Sequence, residues 1–139
     1  MGDYVEAINK LLRARVSANH PEQYAIQPAL EGDQSHLKTM IQKLEQRRDI
    51  MMKTLEKIEG IKLVKPEGAF YAFPSIDVED DSHFCSELIK NTGVVVVPGS
   101  GFGQKPGSQH FRIVTLPQEE VLTKAFEYIA EFYQSYKRK

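Results

Sequence analysis

The sequence has a single cysteine, no tryptophan and no long apolar run. One cysteine forms no internal disulfide and cannot build a cysteine-rich zinc site, so a reducing compartment is expected. No segment approaches the roughly 20 apolar residues that cross a bilayer. Acidic residues also stand where a signal peptide would be basic and then apolar. We therefore predict a cytoplasmic protein that has no membrane partner.

An excess of one charge is also lacking. The sequence has 18 Lys and Arg against 19 Asp and Glu, a net charge of -1, with both signs mixed along the chain. Bulk electrostatics therefore gives no support for nucleic-acid binding. None of the histidines falls at the spacing of a metal-binding helix or near the cysteine: His20, His36, His83 and His110. We predict no metal site.

The chain does have clear hydrophobic periods. Three- and four-residue steps between apolar residues predict helices over 3–16, 21–30, 35–60, 83–90 and from 117 to the C-terminus. Strands are predicted over 61–64, 69–73, 94–97 and 111–116. The order predicts an α+β fold, a two-layer α/β sandwich in which the long helix and the C-terminal helix cover a small, mostly antiparallel sheet. The first two helices fit that sandwich poorly.

Two details of the sheet follow from the same pattern. The segments 61–64 and 69–73 flank a turn at 65–68, which favours a β-hairpin. Val94 to Val97 are four consecutive β-branched residues. Such a run is typical of a strand that is buried on both faces or runs beneath helices.

Polar residues within the helices are assigned structural roles. The acidic segment 77–81, with Ser82, is placed to cap the helix over 83–90. The pair Arg47 and Arg48 interrupts the apolar stripe of the long helix, and we interpret it as part of a solvated polar face. Cys85 has no basic neighbour to lower its thiol pKa, so we interpret it as a small core or boundary residue, not a nucleophile.

The glycine-rich stretch "PGSGFG" does not match a known nucleotide motif. It lacks the lysine of a P-loop, and a loop and strand follow it where a dinucleotide fingerprint needs a helix. Pro98 stands where a hydrolase nucleophile elbow around Ser100 would need glycine. Two interpretations stay open: a turn that needs positive φ at a glycine, or a surface where missing side chains let a ligand approach the backbone.

Arg112 follows this stretch on a predicted strand. It alternates with Phe111 and Ile113, so its side chain should point to the face opposite theirs. An arginine on a solvent face is ordinary. A planar, permanently charged guanidinium beside a glycine-lined surface is also suited to holding a carboxylate through two hydrogen bonds.

Three stretches carry a resemblance to a known family. "PEGAFYAFP", "VVVVPGSGFG" and "HFRIVTLP" resemble, in order and spacing, the C-terminal segment of fold-type-I pyridoxal-phosphate-dependent aminotransferases of class I/II, alanine aminotransferases above all. Upstream, "ARVSANHPEQYAIQPAL" and "LEQRRDIMMKTLEKIEGI" look like the stretch that follows the cofactor lysine in that family. The resemblance covers nearly the whole chain.

The resemblance implies a division of the chain and a role for its arginine. Residues 1–33 would pack on the large domain of such an enzyme, and residues 34–139 would form its small domain. Arg112 would bind the α-carboxylate of an amino-acid or 2-oxo-acid substrate, and a homodimer would be the assembly. A loop, here named the glycine loop, would border the substrate entrance: Gly99, Ser100, Gly101, Phe102 and Gly103.

The chain also departs from that family. Enzymes of the family are much longer, and no lysine here has the serine-rich setting of the lysine that forms the Schiff base. The aspartate that pairs with the pyridine nitrogen and the aromatic residue that stacks on the ring are missing too. We identify no catalytic and no cofactor-binding residue in this chain. We expect a C-terminal fragment that is inactive alone and does not bind pyridoxal phosphate stoichiometrically.

Two other functions are compatible with the sequence. The chain could be a non-catalytic module that binds small carboxylates, weakly because only one wall of the cleft is present. It could also be an assembly piece whose first helix presents Val5, Ile8 and Leu12 to a partner or to a second copy.

Overall fold

The computed structural model describes residues 2–14 and 19–137. The chain forms two compact units, Met1–Lys38 and Thr39–Lys139. The end of the first predicted helix, residues 15 and 16, lies outside the described residues. Within the described ranges, no helix combines the length and the apolar character that a membrane span requires.

The first unit contains three helices before the long one. Helix α1 is Gly2–Ala14, α2 is His20–Gln23 and α3 is Ile26–Glu31. The single helix predicted over 21–30 is therefore wrong, because it is two short helices. Pro28 has no N–H group with which to close a helical bond to the carbonyl four residues back, and the helix breaks at that level.

Three helices carry the core of the second unit. Helix α4 is Ser35–Leu55, α5 is Asp81–Thr92 and α6 is Glu119–Lys137. The Asp80 side chain accepts hydrogen bonds from the first turn of α5, and Gly93 ends that helix in the left-handed region at a φ of 75°. The predicted acidic cap is confirmed.

The strands are short and pair antiparallel. They are β1 (Ile61–Lys62), β2 (Tyr71–Ala72), β3 (Ser75–Ile76), β4 (Val97–Pro98) and β5 (Phe111–Val114). The predicted hairpin is wrong, because β1 pairs with β3 while β2 pairs with β5. The pairing of β2 with β5 places buried Ala72 beside buried Ile113, and such burial selects the register of a strand.

The valine run is not buried on both faces. In the order β2-β5-β4, strand β4 lies at the edge. Val94 and Val96 pack against the core, whereas Val95 is 70% exposed and Val97 is 37% exposed. Only one face of this segment is covered in the structure, so the interpretation that it is buried on both faces is wrong. The alternative of a strand beneath helices fits better, since α5 contacts β4.

The core joins the helices to the inner face of the sheet, which confirms the α+β class. Helix α5 contributes to it together with the two helices expected to cover the sheet. The largest fully buried side chains include Met51, Leu55, Phe84, Leu88, Phe111, Phe126, Ile129 and Tyr133.

The arginine pair of α4 does not form a solvated face. The Arg47 side chain is only 16% exposed, and its Nε lies 2.8 Å from Oε1 of Glu119. Its Nη1 donates to the Leu116 carbonyl at 2.6 Å. Arg48 is 19% exposed at its side chain and pairs with Asp49. Arg47 therefore ties α4 to the start of α6, and the prediction of a solvated pair is wrong.

Candidate functional site

Arg112 lies at the centre of the three-stranded sheet. Strand β5 runs between β2 and β4, and Arg112 pairs with Val97 across the ladder. Its neighbours Phe111 and Ile113 are buried in the core, whereas Arg112 is half-buried. The arginine therefore points away from the core, as its alternation along the strand predicts.

Two aromatic rings hold the guanidinium group of Arg112. Its Cζ atom lies 4.2 Å from the centroid of the Phe102 ring and 4.9 Å from that of Tyr71. A cation over an aromatic face is attracted to the ring electrons, more strongly where water is excluded. The two rings restrict the orientation of the charged group without neutralising its charge.

The Nε atom of Arg112 has no hydrogen-bond partner within residues 2–14 and 19–137, although it is buried. The corresponding atom of Arg47 donates to a carboxylate at 2.8 Å. Leaving a buried donor unpaired costs about 1–3 kcal/mol, and more for a charged group. An arriving carboxylate accepts hydrogen bonds from a guanidinium in one plane and would remove that cost.

The glycine loop folds as a 3-10 turn, Gly99–Phe102, that ends at Gly103. Gly103 has a φ of 69°, the left-handed region that favours glycine. Gly99 is required for a different reason, because a Cβ atom there would lie 2.6 Å from the His110 Cβ and 2.9 Å from the His110 carbonyl oxygen. At Gly101 a Cβ atom would meet nothing described within 4 Å. The loop thus combines a turn glycine, a packing glycine and an open position.

Further aromatic rings support Phe102. The Phe73 ring meets Phe102 edge-on with centroids 6.2 Å apart. His110 in turn stacks on Phe73 at 4.8 Å, with the two ring planes only 8° apart. Edge-on and stacked pairs of this kind add to the apolar contact itself. Phe102 is therefore supported by a ring from the segment between β2 and β3, which itself stacks on the residue just before β5.

Asp81, in the first turn of α5, anchors the same loop. The residue is 1% exposed. Its Oδ2 accepts hydrogen bonds from Ser100 N at 3.1 Å, Gln104 Nε2 at 2.7 Å and His110 N at 3.5 Å. Burial opposes ionisation, but the bonds from Gln104, Ser100 and His110 outweigh it and hold the pKa of Asp81 below its ordinary value. The carboxylate is therefore charged at neutral pH.

Asp81 is not among the predicted site residues, although the sequence contains a signal for it. The acidic segment 77–81 is predicted only to cap the helix, and Asp80 does cap α5. Asp81 instead lies on the buried stripe of that helix with Phe84, Cys85 and Leu88. Asp81 lies three and four residues before Phe84 and Cys85, and Leu88 lies four and three residues after them. An acid on such a stripe is expected to face the core. Cys85 on this stripe is buried, as its interpretation as a core or boundary residue requires.

The described lysines do not fit the cofactor that the resemblance implies. Every one of them is exposed: Lys10, Lys38, Lys43, Lys53, Lys57, Lys62, Lys65, Lys90, Lys105, Lys124 and Lys137. A lysine that forms a Schiff base is activated by an apolar pocket or by a neighbouring cation. No step involving pyridoxal phosphate can therefore be assigned to the described lysines of this chain.

Comparison with known proteins places this geometry in context. A model of the family aminotransferase class I and II matches residues 3–129. An alanine aminotransferase of Mycobacterium tuberculosis is 37% identical over 142 residues, covering 97% of this chain and 33% of that protein. A probable mitochondrial alanine aminotransferase of Dictyostelium discoideum is 38% identical over 133 residues, covering 82% of this chain and 25% of that protein.

Solved structures give the same result. An alanine aminotransferase from Pyrococcus furiosus superposes with a TM-score of 0.81 at 41% identity, covering 94% of this chain and 34% of that one. For an aspartate aminotransferase from Rhizobium meliloti the TM-score is 0.70 at 34% identity, with 77% and 29% covered. The chain spans between a quarter and a third of the curated relatives' length. Since the family model matches nearly all of it, the chain belongs to the class I and II aminotransferases.

Proposed function

We propose that this chain is the C-terminal part of an aminotransferase that moves an amino group between an amino acid, alanine above all, and a 2-oxo acid such as 2-oxoglutarate. Arg112 binds the α-carboxylate of the substrate. The observation that carries the proposal is the buried Nε of Arg112, which has no partner among the described residues. Alanine comes from the relatives, several of which are named alanine aminotransferases.

The surroundings of Arg112 support a carboxylate ligand. Phe102 and Tyr71 leave the guanidinium charged but limit its rotation, so less freedom is lost when a ligand binds. The open position at Gly101 gives a small molecule clearance beside the turn. A planar carboxylate matches the guanidinium fork, which fixes the orientation of the substrate as well as its affinity. In this account Arg112 orients the substrate and takes no part in proton transfer.

The remainder of the site lies outside the described residues of this chain. Pyridoxal phosphate, which the family implies, supplies the electron sink for amino transfer when it is bound. Since the described lysines do not fit it, we propose that the chain alone is inactive. Residues 1–33 would pack on the cofactor-binding domain and residues 34–139 form the small domain. A homodimer and a cytoplasmic location remain predictions, and the Dictyostelium relative is named mitochondrial.

Titration of the purified chain with pyridoxal phosphate tests the proposed inactivity. We expect no stoichiometric aldimine absorbance and no pyruvate from L-alanine with 2-oxoglutarate. Non-specific adducts on exposed lysines would form without saturation. A saturable adduct of one cofactor per chain, accompanied by turnover, would contradict the proposal.

The role of Arg112 in catalysis is tested in a full-length enzyme that contains this segment. Arg112→Lys keeps the charge but loses the planar fork, so kcat/KM for L-alanine should fall by about a hundredfold or more. Lys124→Arg is the control, since Lys124 is exposed on α6, outside residues 1–33. An unchanged kcat/KM in Arg112→Lys would remove the assignment.

A second candidate function, an assembly module, is favoured by helix α1. None of its residues is buried, and it exposes Tyr4, Val5, Ile8, Leu11 and Leu12. Such a face is typical of a surface that another protein covers. Sedimentation of the chain would reveal self-association, which Ile8→Glu should abolish and the neighbouring Asn9→Glu should not. A monomer at all concentrations would exclude self-assembly through this helix.

A non-catalytic carboxylate-binding module is the remaining alternative. It would share the Arg112 contact but would act without any cofactor-binding domain. The reading frame upstream distinguishes this module from the enzyme portion. The question is whether it continues into a segment that contains a Schiff-base lysine. Such a segment supports the enzyme, and a stop codon immediately upstream supports the module.

A further inference from the structure

We propose that Asp81 is the positioning residue of this site: its buried carboxylate holds the glycine loop so that Phe102 stays over Arg112. The part of the proposal that concerns ligand affinity rests on the proposed function of Arg112. The part that concerns the loop stands on the contacts of Asp81 alone.

One oxygen atom of Asp81 accepts hydrogen bonds from three donors in the connection between β4 and β5. Oδ2 accepts from Ser100 N at 3.1 Å and from Gln104 Nε2 at 2.7 Å, and these two residues flank Phe102 in the chain. The third donor is His110 N at 3.5 Å, two residues before Arg112 on the strand. The carboxylate thus joins the start of the connection, its middle and its return to β5.

The bonds are strong for physical reasons. Hydrogen bonds to an ionised acceptor are about twice as strong as neutral ones. Asp81 is 1% exposed, so water does not compete for its oxygen atoms. Removing the charge would leave the Ser100 and His110 N–H groups without an equivalent acceptor in the interior. The turn would then be free to move to where water can pair with them.

The rest of the connection depends on the same anchor. Gly99 N donates to the His110 carbonyl at 2.8 Å, which brings the loop and the strand into contact. Gln104 bridges Asp81 and His110, because its Oε1 lies 3.2 Å from His110 Nδ1. His110 stacks on Phe73, whose ring meets Phe102. A shift of the anchor therefore reaches Phe102 both through the backbone and through the ring cluster.

Asp80 provides a matched control. It is adjacent in sequence and also accepts from backbone N–H groups, but these belong to Ser82 and His83 of its own helix. Asp81→Asn and Asp80→Asn remove the same charge from the same helix terminus with the same change of shape. Only the first alters a contact to the glycine loop. Gln104→Ala serves as a further variant, which removes one arm of the anchor and leaves the carboxylate in place.

The experiment uses the complete chain labelled with ¹⁵N. Amide hydrogen exchange at Ser100 and His110 reports on the loop, and exchange at Leu88 in the middle of α5 reports on the helix. Titration with acetate gives the dissociation constant at Arg112. We expect Asp81→Asn to speed exchange at Ser100 about tenfold or more relative to Leu88, and to weaken acetate binding several-fold. Asp80→Asn should do neither.

Each outcome decides the proposal. Unchanged exchange at Ser100 in Asp81→Asn, or the same change in Asp80→Asn, would overturn it. Faster exchange with unchanged acetate affinity would overturn the link to Arg112. If the original chain does not bind acetate, the link between the anchor and Arg112 fails, while the exchange data still test the anchor. The proposed function is then decided separately, by Arg112→Lys in the full-length enzyme. Should Asp81→Asn not fold, Gln104→Ala is judged by the same criteria, with a smaller effect expected.

Discussion

The guanidinium of Arg112 lies against the ring of Phe102, with 4.2 Å between Cζ and the ring centroid. The two residues belong to different elements, since Arg112 is on β5 and Phe102 closes the turn that follows β4. The contact covers one side of the arginine and leaves its Nε buried without a partner among the described residues. It therefore orients a charge that the described part of the chain does not neutralise.

Removing the aromatic face of Phe102 should weaken carboxylate binding. Phe102→Leu keeps an apolar side chain of similar reach but loses the cation–π attraction, which is worth about 0.5–2 kcal/mol. We expect the dissociation constant for acetate to rise about threefold to tenfold, measured by titration of the labelled chain. Phe102→Tyr keeps the ring and serves as the control. An equal rise of the dissociation constant in both variants would show that the cation–π attraction does not account for the weaker binding.

Two glycines of the loop should respond differently to alanine. Gly99→Ala places a Cβ atom 2.6 Å from the His110 Cβ, so the free energy of unfolding should fall by about 1–3 kcal/mol. Gly101→Ala meets nothing described within 4 Å and should leave stability nearly unchanged. If the ligand lies against the loop, Gly101→Ala should weaken acetate binding instead. Urea denaturation and acetate titration of both variants test this separation, and equal stability losses would contradict it.

Cys85 should be inert in the folded chain and should make stability fall at alkaline pH. Burial, with added repulsion from Asp81 and Asp80, raises the pKa of the Cys85 thiol to about 12 from an ordinary value of 9.0. The unfolded chain therefore loses its proton first. This contribution to stability is complete below pH 9.0 and is lost as the pH rises towards 12. Urea midpoints of the original chain and Cys85→Ala, measured across this range, should converge as the pH rises.

Labelling of Cys85 gives an independent measurement. A thiol reagent at pH 8 should react about a hundredfold or more slowly with the folded chain than with the chain in urea. Rapid labelling in the folded state would show that Cys85 is accessible, and it would contradict the interpretation of Cys85 as a buried, unreactive residue.

The contact between Arg47 and Glu119 should stabilise the fold at neutral pH, and this contribution should be lost in acid. The hydrogen bond from Arg47 lowers the pKa of Glu119 below its ordinary value of 4.5. A lowered pKa gives stability that is present above pH 4.5 and is lost as the pH falls through the folded-state value. Arg47→Ala should lower the urea midpoint at pH 7 more than Glu119→Gln, because it also removes the bond to the Leu116 carbonyl. The reverse order would contradict this account.

Much of the fold could be predicted because its signals are local. The apolar stripe of α6 and the caps of α5 depend on residues that are close in sequence, and both helices are present in the structure. Pairing of strands is not local. Tyr71–Ala72 lies closer in sequence to β1, yet it pairs with β5, where Phe70 O also accepts a bond from Thr115 N. A hairpin rule based on spacing could not foresee that choice.

Part of the candidate site could also be predicted from local sequence patterns. The alternation of Phe111, Arg112 and Ile113 predicts which side the arginine faces, and the structure agrees. The rings that hold Arg112 come from separate elements, so their contacts depend on the tertiary fold. Asp81 is different, because its place on the buried stripe of α5 could have been read from the sequence.

The most direct test of the account is the Arg112 Nε–H signal of the ¹⁵N-labelled chain during titration with pyruvate. The signal should shift with saturation, because a carboxylate pairs with a donor that has no partner among the described residues. Arg112→Lys should abolish the accompanying shifts at Gly101 and Val97. A signal that does not move at saturating pyruvate, or equal backbone shifts in Arg112→Lys, would contradict the assignment of Arg112 as the carboxylate-binding residue.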